Sequence, residues 1–259
     1  MTMNSDVLRR ERRGKVAILT ITRPQRRNAM DDALIAALRT ALLDLDRDPG
    51  TAAIVLNGTE PGFCAGSDLK YIGNLDLETM CRFEQETGDA ARLIGFISKP
   101  VVAAVEGFAM GGGFILATSC DVVVAGRGSR WSLPEVPIGW LTPWGIKSLV
   151  ARVGFVRARN LCFGLETLTG EQAAALGVAD QAVDDGTALE QAIALGEKLA
   201  ALPEPAVAAT KRFFSRYIME DSEAMDFEAN RLFAENCREP VARATLAKFG
   251  RPALTSVPA

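Results

Sequence analysis

Short apolar runs, bounded by turn-forming residues, recur through the first half of the chain. The clearest runs cover residues 16–22, 51–56, 101–105 and 121–125, and they are rich in Val, Ile and Ala. Valine and isoleucine favour strands, and short runs that are apolar throughout are typical of strands buried on both faces. The pattern therefore predicts a parallel or mixed sheet that is covered by helices on both sides.

Between and after these runs, the apolar residues follow helical spacing. The stretch that begins at Asp31 and Asp32 carries Leu34, Leu38 and Leu42 on one face, and acidic residues at the start stabilise a helix. Over the last part of the chain nearly the whole pattern is helical. Helices are predicted there at residues 144–153, 156–163, 170–176, 188–201, 205–218, 222–236 and 240–249.

The length and the composition fit a chain with one large core. Of its 259 residues, 48% are hydrophobic. The mixed pattern predicts an α/β core over residues 1–190, and the helical pattern predicts a helical region over residues 191–259. The net charge is −3, with both signs spread along the chain, so we expect no nucleic-acid partner. Because no apolar run is long enough to span a bilayer and no signal peptide is evident, we expect a cytoplasmic protein without a membrane partner.

The chain contains no histidine and five cysteines. The absence of histidine excludes Ser–His–Asp and Cys–His catalysis and histidine-based metal sites, and we expect no metal. The odd number of cysteines and the lack of a Cys-x-x-Cys pair indicate reduced thiols. Acid–base chemistry must therefore use Asp, Glu, Lys, Tyr or Cys side chains.

A first candidate site is the segment FCAGSDLK at residues 63–70, which follows the apolar run at 51–56. A strand, a turn of small residues and a helix start leave backbone N–H groups without an intrahelical partner. Such groups bind an anion or a polarised carbonyl oxygen, and Ser67 and Asp68 are good capping residues. The same segment is also compatible with an ordinary capped turn.

A second glycine-rich turn, at Gly111, Gly112 and Gly113, also lies between a strand and a helix. Its spacing does not match the G-x-G-x-x-G dinucleotide motif, and it lacks the Gly-Lys-Ser/Thr of a P-loop. Close helix packing would explain the three glycines equally well. Together, however, the two turns can direct two N–H groups at one oxygen, which is the arrangement of an oxyanion hole.

An enolate mechanism also requires a base, and Glu135 is the candidate. It lies between Pro134 and Pro137, within a stretch that is otherwise apolar. A carboxylate in an apolar pocket has a raised pKa and can both accept and return a proton. A surface-loop acid is the alternative interpretation.

These three segments resemble those of the enoyl-CoA hydratase/isomerase (crotonase) family in order and spacing. The third segment is LPEVPIG at residues 133–139, and the resemblance extends over nearly the whole chain. It implies a repeated ββα spiral core with a helical C-terminal region that forms trimers, hence a homotrimer or a homohexamer. It implies an acyl-CoA thioester as substrate and no cofactor apart from the coenzyme A of that substrate.

The resemblance also implies roles for individual residues. The backbone N–H groups of Ser67 and Gly112 would hold the thioester oxygen, and Glu135 would be the catalytic carboxylate. Residues expected to contact the substrate or its CoA moiety are Arg26, Arg27, Ala65, Gly66, Ser67, Asp68, Leu69, Gly111, Gly112, Ile115, Trp140 and Phe249.

The chain departs from the family's hydratases at Ile115, where they carry a second glutamate. Adding water across a double bond is easiest with two groups, one that orients the water and one that handles the proton, whereas moving a double bond from C3 to C2 needs a single base. With Glu135 alone, the sequence favours a Δ3,Δ2-enoyl-CoA isomerase.

Other functions stay open at this point. The main alternative is an enoyl-CoA hydratase with a second acid from elsewhere, for which the candidates are Asp68, Glu84, Glu86 and Asp89. Another acyl-CoA lyase, decarboxylase or hydrolase and a catalytically silent acyl-CoA-binding protein are further alternatives.

Overall fold

The computed structural model describes residues 6–250, and within them the strands form two sheets. The strands are β1 (Leu8–Arg13), β2 (Val16–Ile21), β3 (Ala53–Gly58), β4 (Val101–Val105), β5 (Phe108–Met110), β6 (Val122–Gly126), β7 (Arg130–Ser132), β8 (Leu168–Thr169) and β9 (Gln181–Val183). The larger sheet has the order β1-β2-β3-β4-β6-β9, and the smaller has the order β5-β7-β8. In the larger sheet only β1 and β2 are antiparallel, as the predicted mixed sheet requires.

Helices cover both faces of the larger sheet and make up most of the C-terminal region. They are α1 (Asp32–Arg47), α2 (Leu69–Ile72), α3 (Leu77–Phe96), α4 (Gly112–Thr118), α5 (Glu135–Ile138), α6 (Ile146–Cys162), α7 (Gly170–Ala175), α8 (Ala188–Ala200), α9 (Glu204–Ile218), α10 (Ser222–Asn236) and α11 (Pro240–Phe249). The Asp31 side chain caps α1 by accepting a hydrogen bond from the Leu34 N–H at 3.0 Å. No helix within residues 6–250 is both long enough and apolar enough to cross a membrane.

The apolar side chains of β2 divide between two hydrophobic clusters on opposite faces of the sheet. Val16 and Ile18 pack with α8 on one face, while Leu19 and Ile21 pack in the larger cluster that contains α1 and α3. Adjacent residues of a strand point to opposite faces, so a strand covered on both sides is apolar at nearly every position. This confirms the interpretation of the apolar runs as doubly covered strands.

The C-terminal helices pack back onto the first half of the chain. Helix α10 contacts α3 and α6, and α11 contacts α2 and α5. Helix α8 crosses residue 190 and covers the sheet, so the division into regions 1–190 and 191–259 stays a prediction.

Three short strands and one short helix have no signal in the sequence pattern. Strands β5, β8 and β9 have two or three residues each, too few to show a period of two. Helix α5 places Glu135 at its first position. Gly154, with φ at +75°, divides α6 into the two helices predicted there.

Candidate active site

The two glycine-rich turns meet. An isolated bridge pairs Cys64, before the first turn, with Ala109 of β5, and the Met110 N–H donates to the Cys64 carbonyl at 3.0 Å. In each turn a glycine with positive φ precedes the predicted donor: Gly66 at +91° and Gly111 at +53°. A Cβ atom built on Gly66 would lie 3.0 Å from the Gly112 nitrogen, so only a residue without a side chain permits this approach.

The N–H groups of Ser67 and Gly112 have no acceptor within residues 6–250, whereas the backbone around Ser67 is firmly bonded. The Met30 N–H donates to the Gly66 carbonyl at 2.8 Å, and the Asp68 N–H donates to the Met30 carbonyl at 2.7 Å. Two unpaired N–H groups on adjoining, fixed turns are suited to stabilising the oxyanion that develops on a thioester.

Glu135 lies beside these turns and is buried, with 6% of its surface exposed. A Cβ atom built on Gly111 would lie 2.8 Å from Glu135 Oε1. Burial raises the pKa of Glu135 to about 8, and the charge of Glu84 raises it as well. The backbone N–H of Glu135 and the Thr142 hydroxyl lower this pKa in part. The carboxyl is therefore mostly protonated at neutral pH.

A second buried carboxyl, that of Glu84 on α3, faces the same cavity. Glu84 Oε2 accepts a hydrogen bond from the Trp144 indole N–H at 2.8 Å. Burial raises the pKa of Glu84, and hydrogen bonds from the Ser67 hydroxyl and the Trp144 indole counteract that rise. The cavity thus contains two acids.

The other three acids named as candidates have different positions. The Asp68 carboxylate caps α2 by accepting from the Lys70 N–H at 3.1 Å and pairs with Arg23 at 3.3 Å. Glu86 is exposed, and Asp89 pairs with Arg92. Glu84 is therefore the second acid of the cavity, which the helical spacing of α3 did not single out.

Most of the predicted substrate contacts surround one cavity of about 70 Å³. Its lining includes the predicted residues Ala65, Gly66, Ser67, Leu69, Gly111, Gly112, Glu135 and Trp140. The lining also includes residues outside the predicted set, namely Ile72, Glu84, Pro134, Ile138, Thr142, Pro143 and Trp144. The lining is mainly apolar, as a site that excludes water requires.

Ile115 does not line this cavity. It is fully buried on α4, and a Cβ built on Gly145 would collide with its Cγ2 atom. The Trp144 ring forms the cavity wall next to Gly112 instead. A Cβ atom built on Gly112 would lie 2.9 Å from Trp144 Cζ2, so the ring packs directly against this glycine. Gly88, one turn after Glu84, gives the Trp144 Cβ room against α3. Trp144 thus bridges the start of α4 and the helix that carries Glu84.

Helix α10 holds the loop that carries Trp144. The Leu141 N–H donates to Asn236 Oδ1 at 3.0 Å, and the Gly145 N–H donates to Asp226 Oδ1 at 2.7 Å. The C-terminal region therefore fixes one wall of the cavity.

Three of the predicted contacts, Arg26, Arg27 and Phe249, are not part of the cavity lining. Arg27 lies 4.5 Å above the Phe108 ring, and its carbonyl accepts from the Ala65 N–H at 3.1 Å. Arg26 Nε is 3.8 Å from Asp68 Oδ2, and Phe249 ends α11 with partial exposure. The two arginines therefore stand at the first turn, and their contacts with CoA stay predictions.

Cysteine and metal chemistry have no support at this site. Burial raises the pKa of Cys64 to about 12, so this thiol stays neutral. Within residues 6–250 no group of three or more Cys, Asp and Glu side chains is arranged to hold a metal ion.

Comparison with known proteins adds independent findings. The model of the family "Enoyl-CoA hydratase/isomerase" matches residues 11–248. A probable enoyl-CoA hydratase of Rhizobium meliloti is 32% identical over 233 residues, covering 89% of this chain and 90% of the relative. The 2,3-dehydroadipyl-CoA hydratase of Escherichia coli is 34% identical over 202 residues, or 78% of each chain.

Solved structures agree on the fold. The crystal structure of an enoyl-CoA hydratase/isomerase from Mycobacterium paratuberculosis superimposes with a TM-score of 0.87 at 24% identity, covering 94% of this chain and 98% of that one. At this sequence identity the structural similarity establishes only the fold. The predicted α/β core with a helical C-terminal region is confirmed.

Proposed function

This chain belongs to the enoyl-CoA hydratase/isomerase (crotonase) family of acyl-CoA-acting enzymes, and from that premise we propose that it adds water to a 2-enoyl-CoA thioester. One observation carries the proposal: Glu84 and Glu135, both buried and both with raised pKa, line the same cavity as the free N–H groups of Ser67 and Gly112. The enoyl-CoA hydratase names of the relatives support it.

In the proposed reaction the thioester oxygen accepts hydrogen bonds from the Ser67 and Gly112 N–H groups. The Glu84 carboxylate takes a proton from water as the water oxygen bonds to C3. The C2–C3 π electrons form the enolate, and the Glu135 carboxyl gives its proton to C2. The product is the 3-hydroxyacyl-CoA, and a proton returns from Glu84 to Glu135 to complete the cycle.

The environments of the two acids support this assignment. Burial raises the pKa of Glu84, but the Ser67 hydroxyl and the Trp144 indole counteract that rise by donating to the carboxylate, the form in which Glu84 would act as the base. Glu135 has an oxygen without a partner, and its pKa of about 8 keeps it protonated, which suits an acid. Two carboxyls that repel each other share one proton over a wide pH range.

A second candidate reaction, the shift of a double bond from C3 to C2, uses Glu135 alone. Glu135 would remove a C2 proton and deliver it to C4 while the oxyanion hole holds the enolate. This candidate is favoured by Ile115, which leaves α4 without an acid, and by the apolar wall formed by Trp140 and Trp144.

An assay with matched substrates separates the two reactions. The purified protein is given a 2-enoyl-CoA and a 3-enoyl-CoA of equal chain length, and hydration and double-bond shift are measured separately. We expect hydration, and we expect Glu84→Gln to reduce it about 10²-fold while any double-bond shift survives. Glu86→Gln, an exposed position on the same helix, is the control and should change neither rate.

Each other outcome has a definite meaning. A double-bond shift without hydration in the wild type would favour the isomerase. Hydration that is unchanged in Glu84→Gln would reject Glu84 as the base. Another reaction on acyl-CoA, or tight binding without turnover, would point to a lyase, a hydrolase or a silent acyl-CoA-binding protein.

The same function would involve CoA contacts, subunit contacts and a cellular location outside the cavity itself. Arg26 and Arg27 would pair with the CoA phosphates, and no cofactor beyond that CoA is required. A homotrimer or homohexamer would cover the exposed aromatic residues of α9, namely Phe213, Phe214 and Tyr217. A cytoplasmic location would suit the five free cysteines.

A further inference from the structure

Two buried side-chain oxygens within residues 6–250 have no hydrogen-bond partner: Glu135 Oε2 and Thr142 Oγ1. Both residues line the cavity. Unpartnered buried polar atoms are rare in folded proteins, and each one requires an explanation. Because both residues line one small site, each oxygen is a candidate for the hydrogen-bond partner that the other lacks.

The backbone brings the two residues together. Helix α5 ends at Gly139, whose φ is +115°, and the Trp140 N–H donates to the Glu135 carbonyl at 3.0 Å. The chain therefore turns back over Glu135, and Thr142 follows. Bonds from Leu141 to Asn236 and from Gly145 to Asp226 fix the loop on both sides of Thr142.

We propose that Thr142 is a positioning residue whose hydroxyl donates a hydrogen bond to Glu135 Oε2 when that carboxyl is ionised. A hydroxyl can donate to the carboxylate and can accept from the carboxylic acid, so it serves both protonation states. Neither an amide in fixed orientation nor an ammonium group would do this. The inference rests on the proposed acid–base role of Glu135, and it holds for hydration and for double-bond shift alike.

Two other titratable groups face Glu135. Glu84 approaches from α3, and its charge raises the pKa of Glu135. Cys162 approaches from α6, and burial together with the charge of Glu135 raises the pKa of its thiol to about 11. Below pH 9 the thiol is neutral, so changes in the pH profile belong to the two carboxyls.

The first test compares Thr142→Val, which keeps the shape and removes the hydroxyl, with Thr142→Ser, which keeps the hydroxyl. We expect Thr142→Val to lower kcat about tenfold with little change in KM and to move the apparent pKa of the pH profile upward, because the charged form loses a donor. Thr142→Ser should retain the wild-type profile. An unchanged kcat and profile in Thr142→Val would overturn the proposal.

The second test does not depend on turnover. A carboxyl ¹³C NMR titration follows Glu135, whose signal is identified by its loss in Glu135→Gln. The midpoint should lie at higher pH in Thr142→Val than in the wild type and in Thr142→Ser, and an equal midpoint would refute the contact. If Thr142→Val does not fold, Thr142→Ala replaces it in both tests.

The two tests separate this inference from the proposed function. A wild type that catalyses neither reaction would refute the function, while the NMR midpoints would still decide the role of Thr142. An active wild type whose midpoint is insensitive to the hydroxyl would refute the role of Thr142 alone.

Discussion

The cavity has two walls that are built in different ways. The first, here the glycine wall, consists of the turns at Gly66–Ser67 and Gly111–Gly112 together with Glu135. Its polar groups are mainly backbone N–H groups, placed by strands and by glycines with positive φ. The second, here the α3 wall, consists of Glu84 and Trp144, two side chains joined by one hydrogen bond.

This difference separates two parts of the chemistry. In both proposed reactions the glycine wall would polarise the thioester, which every reaction through an enolate requires. The α3 wall would supply the second acid, which the proposed hydration uses and the double-bond shift does not. Changes in the glycine wall should therefore reduce both activities together, whereas changes in the α3 wall should alter the ratio of the two activities.

The largest effect is expected from Glu135→Gln in the glycine wall. Because both candidate reactions pass a proton through this carboxyl, hydration and double-bond shift should each fall about 10³-fold. Steady-state assays with both substrates measure the two losses. If only one activity falls, Glu135 is not common to both reactions.

The same variant should be more stable than the wild type at alkaline pH. The pKa of Glu135 is raised from the ordinary 4.5 to about 8, so between these values the folded state holds a proton that the unfolded state has released. The free energy of unfolding of the wild type therefore falls as the pH rises from 4.5 to about 8. Thermal melts should show Glu135→Gln several degrees more stable at pH 9, with a smaller difference at pH 4.

A somewhat smaller effect is expected from Gly66→Ala, which adds a methyl group 3.0 Å from the Gly112 nitrogen. Crowding of the oxyanion hole should lower both activities about 10²-fold, the usual cost of losing one oxyanion donor. Gly14→Ala is the matched control, since Gly14 also has positive φ but no atom within 4 Å of its Cβ position. Equal losses in the two variants would mean that backbone strain, not the hole, is responsible.

The smallest effect is expected from Trp144→Phe in the α3 wall. Loss of the indole N–H removes a donor from the Glu84 carboxylate and raises its pKa further. Hydration should fall about tenfold at pH 7, while a double-bond shift should change much less. Trp140→Phe is the control, because Trp140 lines the same cavity and packs on Phe233. A parallel loss of both activities in Trp144→Phe would contradict the division of roles between the walls.

The glycine wall was largely predictable. Glycine-rich turns after apolar strands have a clear local signature, from which the two turns were named. Glu135 was named from its position between Pro134 and Pro137 in an apolar stretch. Residues 63–70 and 111–113 are close in space for two reasons. Strands β3 and β4 are neighbours in the larger sheet, and Cys64 pairs with β5, which directly precedes Gly111.

The α3 wall could not be predicted to the same depth. Glu84 is one of several acids on a helix with ordinary amphipathic spacing, and nothing local distinguishes it from Glu86 or Asp89. Its burial depends on Trp144, which lies 60 positions further along the chain. Nothing in the local sequence marks Thr142 as a site residue either. Thr142 lines the cavity only because the chain reverses direction after Gly139.

The sequence by itself determined the α/β core, the helical C-terminal region, the two glycine turns and the carboxylate beside them. These features depend on periodicity, on residues without side chains and on short-range turn chemistry, all of which are local. Only the tertiary structure decided that a second acid enters the cavity and that Ile115 is buried outside the cavity lining. Those facts depend on how α3, α10 and the loop from Trp140 to Gly145 pack together, and packing between distant segments has no local signature.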